Sequence, residues 1–139
     1  MNGSALKYFF DNCITPALAR GMRELCVDRG HHVDYLRNLF DESTTDVEWL
    51  SRLGTEGNWI IISADVRITR RNSPERAAWR ESGLTAFFFN QHFPEDGFWN
   101  QVQTVVKRWP DIQAQARRTP RGKGFLVPKG GSALTPFDP

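Results

Sequence analysis

Two separate apolar runs of this chain end on an aspartate: Leu6-Lys7-Tyr8-Phe9-Phe10 leads into Asp11, and Trp59-Ile60-Ile61-Ile62-Ser63-Ala64 leads into Asp65. A run that is apolar on successive residues, rather than on alternate ones, reads as a strand buried on both faces, the pattern of a parallel sheet covered by helices. Ligands of open α/β sheets bind at the carboxyl ends of the strands, where the strand order reverses. Two carboxylates at such ends therefore point to a divalent metal site.

The rest of the chain fits that frame. After Asp11, Thr15 caps a predicted helix with Pro16 in its first turn, and Leu18, Met22, Leu25 and Cys26 recur at helical spacing until Arg29-Gly30. A strand is expected at His32 to Leu36, followed by a polar loop from Arg37 to Thr45. Thr45-Asp46-Val47-Glu48 has the form of a capping box, opening a helix to about Leu53, with Gly54 and Gly57 breaking it. Asn72-Ser73-Pro74-Glu75 opens another helix that ends near Gly83, and Leu84 to Phe89 is a fourth buried strand ending on Asn90. Phe98, Val102, Val105, Val106 and Trp109 mark an amphipathic helix closed by Pro110. The alternation predicts a three-layer α/β/α fold with a central, mainly parallel sheet of about four strands. Residues 1–116 form the expected domain. Residues 117–139 form a basic, Gly/Pro-rich extension, an appendage or short hairpin in which Phe125-Leu126-Val127 looks like a strand.

Composition narrows the class. A chain of 139 residues suffices for one domain, and its apolar runs are too short to span a bilayer. Met1-Asn2-Gly3-Ser4 does not open a secretory leader, so the expected compartment is the cytoplasm. Cys13 and Cys26 match no zinc or redox spacing and read as reduced thiols. The net charge of +2 is unevenly spread: residues 1–99 hold 11 Lys/Arg against 14 Asp/Glu, residues 100–139 hold 7 against 2. The basic end suits nucleic acid, an acidic partner, or solvent alone.

With the third strand beside the first, Asp11 and Asp65 emerge side by side, and Asp46 projects over the same edge from the first turn of its helix. Oxygen-only ligands favour Mg²⁺ or Mn²⁺ over zinc. A cation there would activate water and stabilise charge on phosphate, so phosphodiester hydrolysis is the natural reaction. Glu75 is a fourth acid that either joins the site or serves a cap, and Glu48 reads as the reciprocal cap of Thr45. Arg67, Arg70 and Arg71 follow Asp65 closely and are candidate phosphate ligands. His31 and His32, on opposite faces of a strand start, read as surface or structural. Trp59, Trp99 and Trp109 read as core, which leaves Trp49 and Trp79 for an interface.

These residues resemble the PIN-like domains, specifically the VapC-type ribonuclease toxins of toxin-antitoxin pairs. The likeness runs from about Leu6 to Trp109 and rests on Phe-Phe-Asp11-Asn-Cys-Ile-Thr-Pro, Thr-Thr-Asp46-Val-Glu-Trp-Leu, and Ile-Ile-Ser-Ala-Asp65-Val-Arg-Ile followed by Glu75. It implies a compact α/β/α fold whose acids, here Asp11, Asp46, Asp65 and Glu75, gather around Mg²⁺ or Mn²⁺ to hydrolyse RNA. It also implies a co-expressed antitoxin and often a homodimer. The commoner pattern has a helical glutamate second and a further aspartate after the third acid. Here Asp46 or Glu48 fills the second place, and Glu75, Asn90 or nothing the fourth. The alternatives are a degenerate PIN-like module that binds RNA or protein without cutting, and a phosphoacceptor receiver-like domain. The latter lacks its acidic pair after the first strand and a lysine anywhere between Lys7 and Lys107.

Overall fold

The computed structural model describes residues 5–139, so the leader reading of Met1–Ser4 lies outside the described residues. Six strands form one sheet: β1 (Lys7–Phe10), β2 (His32–Tyr35), β3 (Trp59–Ser63), β4 (Thr85–Phe89), β5 (Gly124–Val127) and β6 (Thr135–Phe137). Their spatial order is β2-β1-β3-β4-β5-β6, parallel throughout except for the antiparallel β5-β6 pair. The chain steps from β1 outward to β2, then back across β1 to β3, so the order reverses between β1 and β3.

Alternate strand residues divide into two cores. Tyr8, Phe10, Ile60, Ile62, Phe87 and Phe89 face one side, beneath α1 (Pro16–Val27) and α6 (Phe98–Arg118), which supply Leu18, Met22, Val105 and Ile112. Phe9, Ile61, Ala86 and Phe88 face the other, beneath α3 (Asp46–Glu56) and α5 (Pro74–Ser82), which supply Trp49, Leu50, Leu53 and Trp79. The three-layer α/β/α arrangement is the one expected. Two short helices add to the expected elements: α2 (Leu36–Leu39), which takes the last residue of the expected strand and enters the segment read as a polar loop, and α4 (Val66–Thr69), which follows Asp65.

The caps explain the helix starts. Thr15 Oγ1 accepts from Leu18 N at 3.3 Å with Pro16 following, and Ser73 caps α5 by accepting from Arg76 N at 2.9 Å. Thr45 and Glu48 form the full capping box.

Four expectations need correction. The sheet has six strands rather than about four, because residues 117–139, expected as an appendage or short hairpin, form that hairpin, β5 with β6, and pair it with β4. Phe137 of β6 packs edge-on against Trp79 and at a tilt against Phe88, with centroids 5.5 and 5.9 Å away, which ties this segment to the core. Helix α3 does not end at Leu53. It continues through Gly54 to Glu56, because the missing side chain admits the α5 backbone: a Cβ on Gly54 would lie 2.9 Å from Ser82 Cα.

Helix α6 likewise runs through Pro110. Proline removes one N–H from the ladder, but Pro110 and Val106, whose carbonyl loses its partner, lie on the exposed side, while the buried face of Val105, Trp109, Ile112 and Ala116 continues past it. Trp49 and Trp79, the interface candidates, are fully buried, whereas Trp99, expected in the core, is 73% exposed. Among the described residues no helix is long and apolar enough to cross a membrane.

Candidate metal centre at the carboxyl edge of the sheet

The register pairs Phe10 with Ile62, so the residues that follow leave the sheet together at the point where strand order reverses. Asp11 N donates to Ile62 O at 3.2 Å, which holds Asp11 against the end of β3. Ser63 then joins the two acids. Its hydroxyl donates to Asp11 Oδ2 in a short contact, and the same oxygen accepts from Asp65 N at 2.9 Å. Asp11 Oδ1 accepts from Cys13 N at 2.9 Å. Asp65 begins α4, its Oδ1 accepting from Arg67 N at 2.9 Å.

Asp46 comes from a third segment, the start of α3. The capping box sets the first turn of α3, and the buried Trp49 donates its indole N–H to Asp46 Oδ1 at 2.9 Å, so a core side chain orients the carboxylate. Asp11, Asp46, Asp65 and Glu75 line one cavity of about 310 Å³, together with Asn12, Cys13 and Arg67. Glu48 stays on the cap, where the Thr45 backbone N–H holds its carboxyl below the usual range. Arg70 and Arg71 are exposed and do not line the cavity; Asn90 lies instead on a neighbouring cavity.

Arg67 has an unexpected partner set. Its Nε and one terminal nitrogen form a fork on Asp65 at 3.0 and 2.7 Å, and that terminal nitrogen also lies 2.9 Å from Asp46 Oδ2. A guanidinium matches carboxylate geometry in this bidentate way. Sequence spacing marked Arg67 as a phosphate ligand, but only the folded site reveals that it bridges two acids. Ser63 was missed as a functional residue; the available signal was a hydroxyl in an otherwise apolar strand, two residues before a strand-end aspartate.

The electrostatics follow from burial. Asp11 is 3% exposed, and desolvation raises its pKa from 3.8 to about 7, with the Ser63 and Cys13 hydrogen bonds opposing and the charges of Asp65 and Asp46 adding to the rise. Burial also pushes Asp46 up, against the pull of the Trp49 indole. Burial would raise Asp65 too, but its hydrogen bonds and charge interaction with Arg67 outweigh that and hold it below the usual range. The Cys13 thiol is pushed well up by burial and by the Asp11 charge, so it stands as a neutral, soft group.

The donor set fits a hard divalent cation. One carboxylate oxygen each from Asp11 and Asp65, with the Cys13 sulfur, lie within 4.8 Å of one another. Of these the oxygens are the donors suited to such an ion, and Asp46 lines the same cavity, sharing an Arg67 nitrogen with Asp65.

The family model described as PIN like domain matches residues 6–91, more than half of the chain and the whole of the acidic edge. The chain belongs to the PIN-like domain family. PIN-like domains are commonly nucleases that use divalent metals and bind RNA. The matched span includes β1 to β4 and all four acids, and stops before α6 and the β5-β6 pair. No curated protein and no solved structure matches the chain.

Proposed function

We propose that this PIN-like protein is a Mg²⁺- or Mn²⁺-dependent endoribonuclease, the toxin component of a toxin-antitoxin pair acting in the cytoplasm. The observation that carries the reading is the Asp11-Ser63-Asp65 arrangement, two buried strand-end acids in which one hydroxyl bridges the Asp11 carboxylate to the Asp65 backbone N–H, with Asp46 and Glu75 lining the same cavity. Asp11, Asp46 and Asp65 would hold the cation, and Glu75 completes the acidic wall. The cation, when bound, supplies an activated water and neutralises charge developing on the phosphate.

The protein's own residues do the rest. Ser63 keeps Asp11 and Asp65 at a fixed separation, and Trp49 keeps Asp46 turned inward. Arg67 neutralises Asp46 and Asp65, and its half-exposed side chain would be free to turn to a substrate phosphate where a cation held those acids instead. Arg70 and Arg71 sit on the exposed rim beyond α4, within the same phosphate-binding reading. In the toxin reading, a cognate antitoxin blocks this cavity and the chain forms a homodimer.

A second reading also has its own observation. Arg67 supplies a permanent positive charge between Asp46 and Asp65, as in a degenerate PIN-like module that binds RNA or a protein without cutting. The receiver-like reading lacks support, since among the described residues no lysine, and of the basic residues Arg67 alone, lines the acidic cavity.

Cleavage of total cellular RNA by the purified chain with Mn²⁺ or with EDTA, comparing wild type with Asp11→Asn and Asp65→Asn, separates these. Discrete metal-dependent fragments, lost in both variants, are expected. Folded protein that neither cleaves nor binds Mn²⁺ by calorimetry refutes the nuclease and leaves the binding module.

A further inference from the structure

A second cavity, of about 500 Å³, adjoins the acidic one along the carboxyl edge of β3, β4 and β5, and Asp65 forms a wall of both. Its lining is of a different kind. Phe88, Pro128 and the half-exposed side chains of Val66 and Leu126 make it apolar, and Asn90 and Gln91 bring carboxamides to it. Val66 (47% exposed) and Leu126 (44% exposed) are large apolar residues that the fold leaves uncovered on opposite sides of this trough.

Asn90 follows β4 as Asp11 follows β1. Its Oδ1 accepts from His92 N at 2.9 Å, which orients the carboxamide, while its Nδ2 has no partner among the described residues.

We propose that this trough binds the nucleobase next to the scissile phosphate, an inference that rests on the ribonuclease reading above. A base has flat apolar faces and a polar edge, which suits apolar walls with amide groups between them. A ribose links each base to its phosphate, so a phosphate at Asp11 and Asp65 places the adjacent base beside Asp65, where the trough opens. The size lies within the range of cavities that take small-molecule-sized groups. Entry requires an unstacked base, as single-stranded or loop RNA presents it.

The test uses the full chain with Mn²⁺ and a short single-stranded RNA carrying one mapped cleavage site. Initial rates are compared on that RNA and on versions with an abasic ribose on the 5′ or the 3′ side of the cleaved bond, for wild type and for Leu126→Asp, an exposed position where a charge is tolerated by the fold. Removing one of the two bases is expected to lower kcat/KM at least tenfold. Leu126→Asp should cost a similar factor on intact RNA, and the two losses should not compound when combined. Equal wild-type rates on all three RNAs, or fully additive losses, overturn the proposal while the nuclease stands, and leave the trough to a protein ligand. Absence of cleavage on every RNA by folded protein overturns the nuclease reading and this inference with it.

Discussion

Asp11→Asn should stabilise the cation-free protein at alkaline pH even as it removes activity. Asp11 is buried at 3% exposure, and its pKa rises from 3.8 to about 7 because burial penalises the charged form. The folded chain therefore keeps a proton that the unfolded chain loses between about pH 4 and pH 7. Stability from this group is fully present below pH 4, falls as pH rises to about 7, and is flat above. At about 1.4 kcal/mol per pH unit over roughly three units, the ionised side chain costs about 4 kcal/mol at pH 8.

Asparagine removes that cost but leaves the Ser63 hydroxyl without its acceptor, a loss of about 1 kcal/mol. The variant should thus gain about 3 kcal/mol at pH 8, or roughly 10 °C in Tm, and be about 1 kcal/mol less stable than wild type at pH 4. Urea unfolding in EDTA from pH 4 to pH 8, wild type against variant, isolates Asp11 from the opposite trend of Asp65, whose pKa is lowered. Saturating Mn²⁺ should restore about 3 kcal/mol to wild type alone, at a hundredfold excess over Kd. Parallel pH profiles for the two proteins, or a variant less stable at pH 8, would refute the reasoning.

Arg67→Gln removes the built-in counter-charge from Asp46 and Asp65, so Mn²⁺ affinity by calorimetry should rise about tenfold while kcat/KM for RNA falls; unchanged Mn²⁺ affinity would deny competition for the acids. Gly54→Ala forces a Cβ to within 2.9 Å of the Ser82 backbone and should destabilise by about 1–3 kcal/mol in urea, despite alanine's better helix propensity. Gly124→Ala drives a Cβ to 2.5 Å from the rim of the buried Trp79 ring, so a loss of about 1–3 kcal/mol with altered tryptophan fluorescence is expected if β5 packs as described.

Much of the fold was legible because its signals are local. Runs apolar on successive residues at Tyr8–Phe10, Trp59–Ile62 and Ala86–Phe89 require burial on both faces, and Thr15-Pro16, Thr45-x-x-Glu48 and Ser73-Pro74 announce helix starts within four residues. Alternation of the two patterns dictates a parallel sheet between helical layers. Side-by-side emergence of Asp11 and Asp65 then follows from the topology alone.

Other features depended on groups far apart in the chain. Gly54 reads as a helix breaker until Ser82 of α5 is seen against it. The basic charge of residues 100–139 reads as a surface, yet Arg108 is buried and donates to the carbonyls of Gly130 and Ser132, fastening the loop that leads to β6. Trp49 looks like a surplus aromatic until its ring fills the core and its N–H meets Asp46.

The sequence by itself determined the α/β class, the helix caps and the acids that end the strands, because backbone periodicity and capping act over a few residues. Only the tertiary structure decided that Ser63 bridges Asp11 to Asp65, that Arg67 sits between two carboxylates, and that β5 and β6 close the sheet beside a second cavity. Those outcomes depend on distances between segments, which packing sets and no local pattern encodes.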